Sequence, residues 1–450
     1  MSKSQQYKII EAAISAERMG GFNARFYDVR TSIIEINLFE SLDKPYVTGN
    51  IAILDDKSLF EKIQLQGTEL LRLTLAGLGN ENNPNMNQRE FYITGIEKKV
   101  KSNDAGKASV FVLNIIDKHM YLDAASQVSK SFSGRLDDEI IRICKTYLKK
   151  EVDLSYIFTS ENERSDAIQQ NVKGIVPNLK PTEAIQFLQN RATTLTGSPF
   201  FVYASMHDEN LRIANLDVML QQKPFNKRLP YTFNPSNVNV AEGLSALEQS
   251  FIIKEIKTVK MGGTLNHLDM GVISSDYCNT NLNTGEITRT PFSIRQTLKN
   301  MIEKGVISPR KQNVFDEKFK IEDKDVDEYK TRNFHTITSS GTYGTFKGYS
   351  DEFEEGLFRK KLERIGILNH LYKNMFSVLI TGTGFLVSKA TVGDIVTINI
   401  VNDNIEDQRG GEEGNIDKNL SGNFLIYDTR HTFNQTSHTI ALNVCKLESK

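Results

Sequence analysis

Cysteine is scarce in this chain: there are three in 450 residues, Cys144, Cys278 and Cys445, far apart and without a C-x-x-C pair. An odd, scattered set neither staples a fold with disulfides nor builds a zinc cluster. Cys144 falls on the apolar side of a helical pattern and Cys445 ends a strand pattern, so both read as free structural thiols. Long apolar runs are also missing. Nothing approaches the ~20 consecutive apolar residues of a spanning helix. Within residues 1–18, Glu11, Ser15 and Glu17 interrupt Ile9, Ile10, Ala12, Ala13 and Ile14, so no signal-peptide core is read and a cytosolic start is expected. Charge of one sign is lacking too. Lys and Arg number 55 against 56 for Asp and Glu, a net charge of -1, which provides no global attraction to nucleic acid or an anionic membrane.

The signatures of chemistry are equally sparse. Seven histidines, among them His119, His207, His431 and His438, include no H-E-x-x-H, the spacing that puts two ligands on one helix face. His431 and His438 can meet across a hairpin, but without a third ligand they read as a β pair. The stretch 341–347, from Gly341 to Lys347, lacks the G-K-[ST] ending and the preceding buried strand of a phosphate loop, so it reads as a flexible loop. A glycan hydrolase needs two carboxylates at a set separation; Glu412 and Glu413 stand in a Gly-rich loop and read as solvated. Lys98, Lys99 and Lys101 read as a basic turn and Arg359, Lys360 and Lys361 as a solvated helix face, neither interleaved with aromatics for base stacking. No catalytic, cofactor-binding or metal-ligating residue is assigned, and no cofactor is expected.

What is present is a repeat. Gly67, Thr68 and Glu69 lead into a strand over 70–75, a polar loop, a strand at 90–93, a turn, and a strand over 109–115. Far downstream Gly393 and Asp394 lead into 395–401, a long polar loop, 423–426, a turn, and 439–444. Each last strand carries a Leu-Asn-aliphatic step, Leu113-Asn114-Ile115 and Leu442-Asn443-Val444. A small β module built twice points to a scaffold.

At this length roughly two to four units are expected, and the 39% hydrophobic and 25% charged fractions fit a globular chain. Ile34, Ile36 and Leu38 alternate with Glu35 and Asn37, and Leu71, Leu73 and Leu75 with Arg72 and Thr74, the period of half-buried strands. A turn at Asp43, Lys44 and Pro45 leads to Val47, Gly49, Ile51 and Ile53, and Asp56 can cap a short helix over 58–65. Leu136, Ile140, Ile143, Cys144, Tyr147 and Leu148 share one helix face, Pro181 opens a second helix, and 199–203 with 211–213 reads as a hairpin. Phe251, Ile253 and Ile256 start a strand that Gly262 and Gly263 interrupt. The interruption holds a hairpin-like turn at Asn283, Thr284 and Gly285, a charged run over 316–330 and a Gly/Thr-rich stretch at 339–348. Residues 403–422 read as a surface loop.

The expected class is α+β, mainly β, with two antiparallel barrel-like domains: a first at 20–116, an α/β insert at 117–235, a second split between 250–261 and 376–447, and an insertion at 262–375 with a helix at 353–373. The duplicated strands should superpose, Leu71, Leu73 and Leu75 matching the inward-facing Val396, Ile398 and Ile400.

This arrangement resembles the baseplate central hub protein of contractile-tailed bacteriophages, a tube-domain family shared with the hubs of type VI secretion spikes. The resemblance is carried by 46–55 (Tyr46 to Asp55), by Gly67, Thr68 and Glu69 before an apolar strand, and by 422–433 (Gly422 to Phe433) with His438, Thr439 and Ile440. It implies a structural virion protein of the tail baseplate, made in the host bacterial cytoplasm and not an enzyme. Three subunits, each with two tube domains, would close a pseudo-sixfold ring joining the tail tube to a central spike. The implied partners are further copies of the chain as a homotrimer, a separate tail spike protein, and the tail tube and other baseplate proteins, with DNA passing through the channel unrecognised. No interface residue is assigned. The other readings are a secretion-spike hub and a tail-associated peptidoglycan hydrolase. The chain ends at Lys450 soon after the second module, which favours the separate spike. Glu35, Asn37 and Thr74 are expected on polar wall faces.

Overall fold

The computed structural model describes residues 7–15, 26–55, 63, 65–77, 88–101, 109–155, 172–194, 196–234, 246–282, 284–307, 319–338, 357–383, 389–401, 416–435 and 437–449. Among the described residues strand outweighs helix, 50% against 23%, so the fold is mainly β with α+β character. The short helix expected at 58–65 (apart from Ile63 and Leu65), Asn283, the stretch 339–348 with its Gly341-to-Lys347 segment, and residues 402–415 with Glu412 and Glu413 lie outside the described residues.

The first seven strands are β1 (Tyr7–Ser15), β2 (Phe26–Asp28), β3 (Ile33–Ser41), β4 (Thr48–Asp55), β5 (Leu70–Gly77), β6 (Arg89–Lys101) and β7 (Ser109–Asp117). Short connections and period-2 alternation make them antiparallel: β5, β6 and β7 form a meander, β4 adds to β7, β3 to β4, and β1 to the far side of β5. Ile36, Leu38, Leu71, Leu73 and Leu75 enter one core, as their alternation requires. Ile34 does not. A β-bulge between Ile33 and Glu35 shifts the register by one residue, so Ile33 packs on the core in its place. The cluster Lys98, Lys99 and Lys101, expected in a turn, lies within β6.

Next come α1 (His119–Ala125), β8 (Val128–Gly134), α2 (Leu136–Ile143) continued by a wider turn through Leu148, β9 (Val152–Asp153), β10 (Val172–Leu179), α3 (Pro181–Gln189), β11 (Phe200–Ala204), β12 (Leu211–Asn215), α4 (Leu216–Gln221) and β13 (Tyr231–Phe233). Pro181 starts α3 because it needs no hydrogen-bond partner there, and the Glu183 carboxylate accepts from the Lys180 amide at 3.2 Å. The hairpin β11–β12 is apolar on both faces: Phe200, Val202 and Ala204 join the first core while Phe201 and Tyr203 join a second. It is a layer between two cores.

The remaining elements are α5 (Ala246–Gln249), β14 (Glu255–Met261), α6 (Thr264–Asp269), β15 (Ser274–Asn281), β16 (Ile287–Ser293), α7 (Ile294–Glu303), β17 (Lys320–Ile321), β18 (Lys324–Asp325), β19 (Arg332–Thr338), α8 (Leu357–Leu371), β20 (Asn374–Thr381), β21 (Ile395–Ile400), β22 (Gly422–Asn434) and β23 (Ser437–Ser449). Gly262 and Gly263, at φ of 80° and 113°, turn the chain out of β14 through a region that other residues rarely adopt. The hairpin β15–β16 passes Gly285 at φ 70°, and β19 lies parallel on β15. All three cysteines are free and buried.

One sheet of 13 strands joins the two halves in the order β14-β20-β23-β22-β3-β4-β7-β6-β5-β1-β2, with β21 on β22 and β13 on β21. Among the described residues no sheet closes on itself, so the expected barrel-like domains are not found as closed barrels. The physical reason is where the edge of β3 goes: it pairs with β22 of the other half instead of returning to its own strands.

Candidate assembly surface

The two meanders agree around one shared bulge, and each carries a second that the other lacks, at Glu97 in the first and opposite Phe424, at Leu447, in the second. In the first, Ile93 faces Ile115, Thr94 bulges, and Gly95 and Ile96 face Asn114 and Leu113. In the second, Ile426 faces Val444, Tyr427 bulges, and Asp428 and Thr429 face Asn443 and Leu442. The Ile93 amide donates to the Glu69 carbonyl at 2.9 Å, and the Ile426 amide to the Asp394 carbonyl at 3.0 Å. The same two acids tie down the turns before their strands: the Glu69 carboxylate accepts from the amides of Gln66, Gly67 and Thr68, that of Asp394 from the amide of Thr391. The repeated Leu-Asn step therefore marks the position opposite a shared bulge. Leu71 faces Phe91 as Val396 faces Phe424, and Leu73 and Ile398 follow two residues on, all of them buried.

The halves meet where β22 divides one of its edges. Residues 422–425 pair with β21 and residues 428–434 with β3. Beneath this seam Glu40, only 2% exposed, accepts from the Thr429 hydroxyl at 2.8 Å, the Thr391 hydroxyl at 3.3 Å and the Met206 amide, so one carboxylate ties β3 to β22, to the turn before β21 and to the insert. Burial pushes its pKa up, but His431 at 3.6 Å, His207 and the Met206 amide outweigh that and hold it at about 2. A buried charge is tolerable only with such partners. Nearby, His431 and His438 do meet, Nδ1 to Nε2 at 3.3 Å, with the Phe433 ring stacked on His438. Burial first, and His431 beside it, push the His438 pKa well down. Among the described residues no group of three or more His, Cys, Asp or Glu could hold a metal ion.

A second buried pair fixes the insert. Arg89 grips Asp117 through two bonds of 2.9 and 2.8 Å, and its remaining nitrogen donates to the carbonyls of Ser205 and Asp208. Asp117 also accepts from the Val47 amide at 2.7 Å. Glu40, Arg89 and Asp117 are not marked by any motif in the sequence. Their only local signal is a charge placed at the end of an apolar strand.

On the sheet face opposite the core, cross-strand partners form a polar row: Asn114, Asn50, Asn37, Thr432, Thr439 and Thr381 stand side by side on β7, β4, β3, β22, β23 and β20. Asn37 is the hub of the row. Its amide donates to Asn50 and Glu35 at 2.9 and 2.6 Å, and its carbonyl accepts from the Thr432 hydroxyl at 2.8 Å and from Arg430. Glu35 and Asn37 thus share one polar face, while Thr74 is buried on β5, paired with Glu11 of β1.

The uncovered backbone edges of the joined sheet among the described residues include β14 on the side away from β20, β6 beyond Tyr92 on the side away from β7, and the far side of the terminal strand β2. No helix is long and apolar enough to cross a membrane among the described residues.

No family model matches the chain, and no curated protein matches it in sequence. Solved structures do match. The tail protein from Neisseria meningitidis MC58 aligns over 98% of this chain and 96% of its own at 10% identity, with a TM-score of 0.51. The 43 kDa tail protein of prophage MuSo2 from Shewanella oneidensis aligns over 97% of this chain and 98% of its own at 11% identity, with a TM-score of 0.50. At these identities the likeness is one of fold: the chain has the fold of phage tail proteins.

Proposed function

We propose that this chain is a structural protein of a phage tail baseplate, its central hub, and that it has no catalytic role. The observation that carries the reading is the duplicated meander, matched down to its bulge, within a fold shared with two phage tail proteins over nearly their whole lengths. A ring of quasi-equivalent wedges uses one module twice in each chain. In this reading the tube domains are residues 20–116, joined by β1, and 250–261 with 376–447, joined by β13; residues 117–235 and 262–375 are insertions. Three copies give six wedges, which join a sixfold tail tube to a separate threefold spike and leave a channel for the genome. The protein then resides in the virion tail after synthesis in the bacterial cytoplasm.

Light scattering tests the assembly. At low micromolar concentration the expected species is a homotrimer whose obligate-type interfaces bury more than about 2,000 Å² each. A stable monomer across that range, with a spike partner present, would overturn the hub reading.

A further inference from the structure

We infer that a second copy of this chain docks its β14 on the uncovered half of β6, in the register that β3 and β22 use inside one chain; the inference rests on the hub reading and names its contact. The two halves have the same strand order, β3-β4-β7-β6-β5 and β14-β20-β23-β22-β21. Matching positions follow from the registers. Glu255 faces Leu379 as Glu35 faces Ala52, Ile256 faces Val378 as Ile36 faces Ile51, and Lys257 faces Ser377 as Asn37 faces Asn50. β14 is therefore the counterpart of β3, and β6 the counterpart of β22.

Within the chain the counterparts are joined: β22 gives residues 422–425 to β21 and residues 428–434 to β3. β6 gives residues 89–92 to β5 in the same way, and its second half receives no strand among the described residues. The strand that β6 lacks is the counterpart of β3, and six strands separate the chain's own β14 from β6 in the sheet. Only another copy can bring it there. β14 is the less covered strand: Thr258 is exposed and Met261 is 64% exposed, whereas their counterparts on β3, Leu38 and Glu40, are 0% and 2%. An open edge with exposed apolar residues pairs if a partner of matching register is offered.

The template sets that register for 256–258 against 99–101, the stretches clear of the bulges at Val259 in β14 and Glu97 in β6 that the template strands lack. Leu38 faces His431 and Asn37 faces Thr432; their counterparts place Thr258 of one copy opposite Lys99 of the next, and Lys257 opposite Val100. Lysines stand on both strands, at 257 and 260 and at 98, 99 and 101, so charge does not draw the edges together. The contact rests on backbone hydrogen bonds and on covering Val259 and Met261. The simpler continuation, β14 onto the terminal strand β2 of the next copy, has no counterpart inside the chain.

Disulfide trapping in the full chain tests this. One variant carries Thr258→Cys with Lys99→Cys, a second Lys257→Cys with Val100→Cys; adjacent register positions alternate between close and wide pairs, so one of the two suits a disulfide. A control carries Thr258→Cys with Asp28→Cys to report β14 on β2. The three native thiols are buried. Oxidation should give covalently linked multimers with at least one of the first two variants and none with the control. Hydrogen exchange on the unsubstituted protein gives an independent reading: assembly should protect the amides of 95–101 and 255–261. A trimer by light scattering with no link and no protection overturns this contact and leaves the hub reading standing. A monomer overturns both, and a link through position 28 overturns it in favour of the simple continuation.

Discussion

Glu40 is the residue on which the seam depends most directly. Its carboxylate sits at 2% exposure and joins three parts of the chain that lie far apart in sequence, through Thr429, Thr391 and Met206. Its pKa is held at about 2 against an ordinary 4.5, so the charged form is favoured by folding. The sign follows: the stabilisation is complete above the ordinary carboxylate range and is lost as pH falls from about 4.5 through about 2. Glu40→Gln removes the charge that these donors and His431 are arranged around and should cost about 3 kcal/mol at neutral pH. It should also flatten the loss of stability with acid in that window. Urea unfolding at pH 7 and at pH 3 measures both effects, with Glu35→Gln, on the open polar face, as the comparison expected to change little. Equal behaviour of the two variants would mean that the seam does not rest on Glu40.

At the scale of the element, the alternation of leucines and the repeated Leu-Asn step were enough to find both meanders, because register and side-chain period are local properties. The bulge at Ile34 was not legible, since an extra residue in a strand leaves the apolar pattern intact and only changes which residues face the core. Nor was the strand character of Lys98, Lys99 and Lys101. Lysines are depleted in strands, and the turn expected there had no other marker. The seam was invisible for a different reason: the bonds from Arg430 and Thr432 to Asn37 join residues at opposite ends of the chain, and no local pattern signals such a pairing. The matched core positions make a direct test of the duplication. Leu73→Asp and Ile398→Asp each place an unpaired carboxylate at 0% exposure and should destabilise the protein by several kcal/mol, roughly 3–5. Circular dichroism melting of both variants checks it; if either melts like the unsubstituted protein, the two positions are not equivalent core sites.

At the scale of the whole molecule the question is what the polar face of the joined sheet meets. Asn114, Asn50, Asn37, Thr432, Thr439 and Thr381 cross six strands without a charge among them. The flanking Arg430 is held by Asn37 and by the Phe39 ring, 5.7 Å from its guanidinium. A wall of that chemistry is wetted by water and offers a polyanion few cations to hold. In the hub reading this face lines the channel, and a channel must let DNA slide, since every phosphate neutralised adds salt-dependent affinity that ejection has to break. The assembled protein is therefore expected to bind DNA weakly, with a dissociation constant no tighter than about 10⁻⁶ M at physiological salt. Electrophoretic mobility of duplex and single-stranded DNA with the assembled protein measures it. Asn37→Lys with Asn50→Lys, which would put two cations in the centre of the row, should tighten binding and make it fall steeply with added salt. A tight, saturable shift by the unsubstituted protein would mean that the chain recognises nucleic acid, and that the polar row is not the wall of a passive conduit.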